Sequence, residues 1–586
     1  MRLNTNNRWL QAAACASILA AGVLTYSPEA EACGGFFCDN SQPVNQTAER
    51  IIFSDNADDT VTALVQIMYQ GPSEEFAWVL PVPGTPDVGV SSDTAFDRLQ
   101  QATNPNYRMN TTVEGECGTR SNFGADDMAS SGGAVNNASA PEDQDDGVDV
   151  VDSGRVGPYI HTTISVDPSS DDPADVAVDW LERNSYDVSA LGADVIRPYL
   201  EDGMNLIAFK LTKEASAGDI RPVKLNYSAE LPMIPIKLTA VAANDDMGVM
   251  VWVLSEERAI PSNYKSLEPN ETLINWFNPG SSYEDVINQA ADEADGQGFV
   301  TELAWPTTSA LDSPNQQGSG ARLDTAVFTE QDASEWDQLS QADWSDHHGQ
   351  LVELSQRFAA WDGYLEVIDS HVPLPAGVSA EEFASCVNCY SQITGASQLE
   401  GFDPQTFVDQ LEAEVIEPVQ ETQALVNSRP YVTRMYTTMS AADMTLDPIF
   451  DFNDSLGDHS NVHVAERVIE CSPEFTRDEA PWRAELPGGS TVFGTDNSWP
   501  FSVDDDEMPA NRTIVRENTS GDGEVVVDNS GEIDGLINRH NAGITDRVSG
   551  GCQVAQPAGA TLARNVALAL MFGAFGLLLM RTRRRQ

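Results

Sequence analysis

The stretch "TVTALVQIMY" (60–69) sets Val61, Ala63, Val65, Ile67 and Tyr69 two residues apart. In an extended chain all five point the same way. Such a face has to be covered by a second layer, which commits this part of the chain to a packed sheet. "GPSEE" then reads as a turn and "FAWVLPVPG" as the returning strand, a hairpin closed by prolines. The segment "IKLTAVAANDDMGVMVWVLSEE" (236–257) reads as a second hairpin, turning at "NDDMG" and returning through "VMVWVL". Both carry Thr-Ala on the outgoing strand (Thr62, Ala63; Thr239, Ala240) and Trp-Val-Leu on the return (Trp78, Val79, Leu80; Trp252, Val253, Leu254). A duplication and two independent amphipathic hairpins account for this equally well.

Between the hairpins, "PYIHTTISV", "MNLIAFKLT" and "RPVKLNYSAEL" have strand character. "DDPADVAVDWLERNSYDV" predicts a helix with Asp172 as N-cap, Pro173 in the first turn, and Val176, Trp180 and Leu181 facing inward. The second half is richer in helical spacing, over 282–294, 345–365 and 403–426. In the last of these Asp403 and Pro404 mark the start; Phe407, Leu411, Val415 and Val419 line one face, and Pro418 should kink it. "RPYVTRMYTTMS" (429–440) returns to a strand. The expected class is α+β, with a mainly antiparallel β-sheet in the N-terminal half and a more helical C-terminal half. Two acidic stretches poor in aromatic residues, 124–154 and 502–535, read as an insertion and a stalk that bury no core.

The ends carry an address. Arg2 and Arg8 precede "WLQAAACASILAAGVL", and "AEA" precedes Cys33. This fits a signal peptide cut after Ala32. At the other end an apolar run, Val566 to Met580, spans about 22 Å as a helix, short of the ~30 Å bilayer core unless Leu562, Ala563 and a snorkelling Arg564 join it. Arg581, Arg583, Arg584 and Arg585 should stay cytoplasmic. The tail is then either a single-span anchor or a sorting tail that is cut or exchanged after export.

Export makes the cysteines legible. Cys15 leaves with the signal and Cys552 sits in the tail. The six others, Cys33, Cys38, Cys117, Cys386, Cys389 and Cys471, form an even set bound for an oxidising compartment. Short spacings favour Cys33 with Cys38 and Cys386 with Cys389, which leaves Cys117 for Cys471. The formal net charge is -59, from 91 acidic and 32 basic residues, with only five lysines. Such a surface repels nucleic acid and suits a salty exterior.

No P-loop, GxGxxG, GxSxG or HExxH occurs. Cys386-Val-Asn-Cys389 is a CxxC, read as a structural disulfide because it follows the short acidic helix "SAEEFAS"; a redox pair is the alternative. "DPIFDFNDSLGD" gathers Asp447, Asp451, Asn453 and Asp454, an oxygen-rich loop in which calcium is the one cofactor to weigh. Counting from Asp451, the glycine falls one place late and position twelve is Val462, so an Asn/Asp turn network is the plainer reading. His459 and His463, four apart, could meet on a helix, but "GDHSNVHVAERV" begins with turn residues and a surface role is the plainer reading. Ser490 has no evident partner.

The stretches "EACGGFFC", "VTALVQIMYQGPSEEFAWVLPVPGTPDV", "LPMIPIKLTAVAANDDMGVMVWVLSEERAIPSNY", "GQGFVTELAW" and "YVTRMYTTMSAADMTLDPIFDFN" resemble the bacterial family named domain of unknown function 2330, from about Ala32 to about Pro487. The resemblance implies secretion and transfers no catalytic residue. Gly551-Cys552, the short apolar helix and "RTRRR" resemble the MYXO-CTERM sorting signal, with a longer spacer after Cys552. That resemblance implies processing near Cys552 and display on the outer surface.

The expected organisation is a signal peptide (1–32), a β-rich α+β domain (33–300) with a disordered acidic insertion (121–155), a helix-rich part (301–487), an acidic linker (488–553) and a transmembrane or sorting tail (554–586). The expected partners are the membrane and the export and sorting machinery, with no nucleic acid. The expected function is a binding or structural ectodomain of the cell envelope, without enzymatic activity. The alternatives are a surface hydrolase with a dispersed site and a thiol-redox protein using Cys386 and Cys389.

Overall fold

The computed structural model describes residues 49–66, 77–118, 148–167, 169–170, 172–184, 186, 193–212, 220–240, 243–307, 325–504 and 508–549. The expected signal peptide with Ala32, the pair Cys33 and Cys38, and the tail with Cys552 lie outside the described residues.

In chain order the first part supplies β1 (Glu49–Asp55), β2 (Thr60–Gln66), β3 (Ala77–Val82), β4 (Asp87–Val90), α1 (Asp93–Thr103), β5 (Asn106–Glu114), β6 (Val148–Val156), β7 (Tyr159–Val166), α2 (Pro173–Arg183), α3 (Ala193–Glu201), β8 (Asn205–Leu211), β9 (Val223–Ser228), the one-turn α4 (Ile236–Thr239), β10 (Met247–Ser255), β11 (Ala259–Pro261), β12 (Lys265–Pro269) and α5 (Tyr283–Asp292). There follow β13 (Gly298–Pro306), α6 (Glu330–Ser340), α7 (His347–Phe358), α8 (Tyr364–His371), α9 (Ala380–Ser385), α10 (Val387–Thr394), α11 (Pro404–Leu411), α12 (Glu417–Asn427), β14 (Tyr431–Met439), β15 (Phe450–Phe452), β16 (Val462–Glu470), β17 (Trp482–Glu485), β18 (Thr491–Gly494), β19 (Asn511–Arg516), β20 (Glu524–Asp528) and α13 (Ser530–Ser549).

The fold is α+β. Ten strands form one sheet in the order β20-β19-β12-β13-β14-β10-β1-β2-β9-β4. Neighbours run antiparallel except β1 beside β10 and β12 beside β13. Strand alternation decides which side chains go where. Ile52, Leu64, Met250, Trp252 and Leu254 join the core formed with the helices, while Ile51, Phe53, Val249, Val251 and Val253 form a second core on the opposite face. Two four-stranded sheets flank this one, β3-β8-β7-β6 and β18-β17-β16-β5.

Neither expected hairpin forms. β2 pairs with β1 and β9, whereas β3 pairs with β8 in a different sheet. Residues 236–239 are helical, and β10 lies between β1 and β14. The reason is burial: from Gly248 to Ser255 every residue of β10 is buried. A strand apolar on both faces belongs in the middle of a sheet, with a neighbour on each side, and a two-stranded hairpin cannot cover it.

The boundary expected at residue 300 does not separate two bodies, because β13 runs through it and the segments 33–300, 301–487 and 488–553 all contribute strands to the ten-stranded sheet. The acidic linker is a second correction. "NRTIVR" and "EVVVD" are β19 and β20, the former paired with β12, and α13 packs Ile533 and Ile537 into the main core. β-branched residues sustain these strands, and at the sheet edge the interspersed charges can stay in water. Within the expected insertion, Val148–Val156 is likewise strand β6.

Several local signals held. Asp172 accepts from the backbone N–H groups of Ala174 and Asp175 and caps α2, with Pro173 in its first turn; Trp180 and Leu181 are buried and Val176 half-buried. Asp403 caps α11 in the same way. Pro418, which cannot donate to a carbonyl four residues back, is preceded by a π-helical turn at Glu412–Ile416 that joins α11 to α12.

Candidate functional site

The disulfides come first, since they frame the rest. Cys117 is joined to Cys471 and Cys386 to Cys389. β5 and β16 run parallel in register from Asn106 beside Val462 to Glu114 beside Glu470, and the first disulfide closes the end of that ladder. Gly115 (φ +88°) turns the chain there; a Cβ on it would stand 2.2 Å from the Cys471 carbonyl oxygen. The second disulfide lies where α9 ends and α10 begins, with Cys386 flanking both helices.

The acidic loop is spent on structure. Asp447 pairs with Lys237 at 3.0 Å and accepts from Tyr199 Oη. Asp451 accepts from the Phe452 backbone N–H. Asn453 is buried and donates to the carbonyls of Asn518 and Gly521, and Asp454 accepts from Ser455 Oγ. Among the described residues no group of three or more His, Cys, Asp or Glu side chains is placed to hold a metal ion.

The two histidines do meet, though not on a helix. His463 lies on β16; His459 precedes that strand and is pinned to β13 through the Ala304 backbone, N–H to O at 2.7 and 2.8 Å. Their rings are 6.5 Å apart. Both line a cavity of about 560 Å³ walled by β12, β13, β19 and the start of β5. Ser490 lines it too, and donates to Asp534 at 3.4 Å.

One wall is an aromatic and carboxylate stack. His463 stands opposite Tyr107 in the parallel ladder, and their rings stack at 4.4 Å. His463 Nδ1 meets Glu271 Oε1 at 2.5 Å, while its Nε2 has no hydrogen bond among the described residues. A carboxylate holding Nδ1 fixes the imidazole's orientation and leaves Nε2 to exchange a proton or hydrogen-bond a ligand. Trp276 packs edge-on against Tyr107 at 5.1 Å and donates to the Glu271 carbonyl at 2.9 Å.

Behind this wall lies a buried ion pair. Glu302 Oε2 stands 2.6 Å from Arg434 Nε, both side chains being 1% exposed, and Tyr283 Oη donates to Glu302 Oε1. The register of β13 against β14 slips between Thr301 and Leu303, so Glu302 is the bulged residue without an opposite number. A bulge re-aims one side chain, and this one carries the charge. Arg434 also donates to the Asn104 side chain, Thr103 Oγ1 and the Gln100 carbonyl at the end of α1.

The surroundings set the protonation states. Burial first, then the carboxylates of Glu271 and Glu302, hold the Tyr107 phenol well above its usual range. Burial and Glu302 do the same to Tyr283. Burial, then Arg258 and His463, push His459 down to about 4. At neutral pH the tyrosines are therefore donors and His459 is uncharged. Farther out, Glu268 accepts from Thr513 at 2.6 Å, and Arg258, Arg512 and Glu517 also line the cavity.

Of this site the sequence singled out only His459, His463 and Ser490. Glu271, Glu302, Arg434, Tyr107 and Tyr283 went unmarked. A signal existed: "FVTELAW" and "YVTRMYTTM" each place one charge, of opposite sign, in an otherwise uncharged strand. Two such strands side by side bring those charges together.

A family model described as an uncharacterized protein conserved in bacteria, DUF2330, matches residues 27–384, more than half of the chain. That range includes Tyr107, Glu271, Tyr283 and Glu302 and stops short of Arg434, His459 and His463. No curated protein and no solved structure matches.

Proposed function

The chain belongs to the DUF2330 family, uncharacterized proteins conserved in bacteria, and from that premise, which brings no activity with it, we propose an exported cell-envelope ectodomain that binds a small hydroxyl-rich ligand in the 560 Å³ cavity. Export and anchoring rest on the two apolar ends and the arginine cluster, together with the oxidised cysteines. Among the described residues no helix is long and apolar enough to cross a membrane; the proposed attachment rests on the apolar sequence from Val566 to Met580 and the arginines after it.

The observation that carries the ligand class is the mixed wall: the carboxylates of Glu268, Glu271 and Glu517 line the same space as the guanidinium groups of Arg258 and Arg512. Neighbouring hydroxyls both donate and accept, so they can satisfy both kinds of group at once. The test is calorimetry of the folded protein against neutral mono- and disaccharides. At least one should bind, and Glu271→Gln and Arg258→Ala should each weaken it roughly tenfold or more. A panel in which nothing binds overturns the reading.

The Glu271–His463 pair favours a second reading, a hydrolase in which His463 Nε2 takes a proton from water. Product release from ester or glycoside probes, reduced about a hundredfold in His463→Asn, would support it over simple binding. For the thiol-redox reading, alkylation of the native protein decides: Cys386 and Cys389 should be unreactive until reductant is added.

A further inference from the structure

We propose that a second, apolar cavity, lying between the ten-stranded sheet and the sheet β3-β8-β7-β6, binds a small aliphatic amine whose cationic head pairs with Glu49. The inference is independent of the reading of the polar cavity, with which it shares no residue.

This cavity measures about 370 Å³. Ile51, Phe53, Val65 and Leu225 come from the large sheet, Leu80 and Val82 from the small one. That volume holds roughly a dozen water-sized groups. A space lined by aliphatic and aromatic side chains gains nothing from water, and a hydrocarbon tail fills it favourably.

Glu49 breaks the pattern. It opens β1 and lines this cavity, and its Oε2 is closed off from solvent with no hydrogen-bond partner among the described residues. An unmatched carboxyl oxygen in apolar surroundings is costly, and a donor brought by a ligand relieves that cost. Burial raises the Glu49 carboxyl to about 7, with a hydrogen bond from Thr239 acting the other way. Among the described residues the only other charged one lining the cavity is Glu230, which is exposed, and no lysine, arginine or histidine contributes. When ionised, both are negative, on a chain of net charge -59. Electrostatics therefore select a cation and reject a fatty acid of the same length.

The test uses octylamine, octanol and octanoate as probes in calorimetric titrations at neutral pH. Octylamine should bind at least tenfold more tightly than octanoate, with octanol between them, about 1.4 kcal/mol per decade. Glu49→Gln should bring octylamine and octanol to within a factor of about three. Ala63→Phe, which fills the cavity from β2, should abolish binding of both. Equal affinity for amine and carboxylate, an amine preference that survives Glu49→Gln, or no binding of any of the three by the wild-type protein each overturns the proposal. Should a variant fail to fold, the amine-to-carboxylate ratio of the wild-type protein still decides.

Discussion

Arg434 holds two things at once: the Glu302 carboxylate in the bulge of β13 and the carbonyl end of α1. Removing one member of a buried pair strands the other charge, which costs about 3–5 kcal/mol. Arg434→Met should therefore destabilise by that amount in urea unfolding. Adding Glu302→Gln should recover part of it, because the pair acts as a unit. A fully additive double mutant would mean that the two are not coupled. Two other residues make opposite contributions to the pH profile. Glu49 is raised from 4.5 to about 7, so between those values the folded state holds a proton that the unfolded chain has lost, and stability falls as pH rises. His459 is lowered from 6.5 to about 4, so the unfolded chain binds its proton first, and stability falls as pH drops through that window. Each effect is on the order of 3 kcal/mol. Measured between pH 4 and 7.5, Glu49→Gln should gain on the wild type as pH rises and His459→Gln as pH falls. Parallel curves would contradict both assignments. Neither the Glu49 nor the His459 shift was legible in sequence, because an isolated Glu or His carries no mark of its burial until distant strands close around it.

At the scale of elements, the legible part was whatever a few neighbouring residues decide. Asp172 with Pro173 and Asp403 with Pro404 are helix starts in the sequence and helix starts in the structure, since capping needs only local hydrogen bonds. Strand existence was legible too, and strand partners were not. β10 pairs in parallel with β1, nearly two hundred residues upstream, and antiparallel with β14, nearly as far downstream. Proximity in sequence suggested hairpins that two-sided burial forbids. Long-range closure also separates the two disulfides energetically. Cys117 and Cys471 are 354 residues apart and Cys386 and Cys389 only 3. By loop entropy the first contributes up to about 5 kcal/mol and the second about 2. Replacing Cys117 and Cys471 by serine should lower the melting temperature clearly more than replacing Cys386 and Cys389. Equal losses would mean that β5 and β16 remain together in the unfolded chain without the bond.

For the whole molecule the deciding quantity is charge. The ion pairs that the structure contains, such as Arg50 with Asp97 and Arg98 with Asp332, engage a minority of 91 acidic residues. The remainder repel one another, and compaction brings them closer. Raising salt from about 10 mM to about 150 mM shortens the screening length from ~30 to ~8 Å. The melting temperature should rise over that range by several degrees, the reverse of a protein held by surface salt bridges. The nature of the cation then separates two explanations. Screening depends on ionic strength alone, so calcium chloride and sodium chloride matched in ionic strength should give the same gain. An excess with calcium that saturates at millimolar concentration would mean that carboxylates converge on a site, and the loop around Asp447, Asp451, Asn453 and Asp454 would be the first to mutate. No excess is expected, because Asp447 already faces Lys237 and the buried Asn453 amide is committed to two carbonyls, leaving too few free oxygens there to replace a hydration shell.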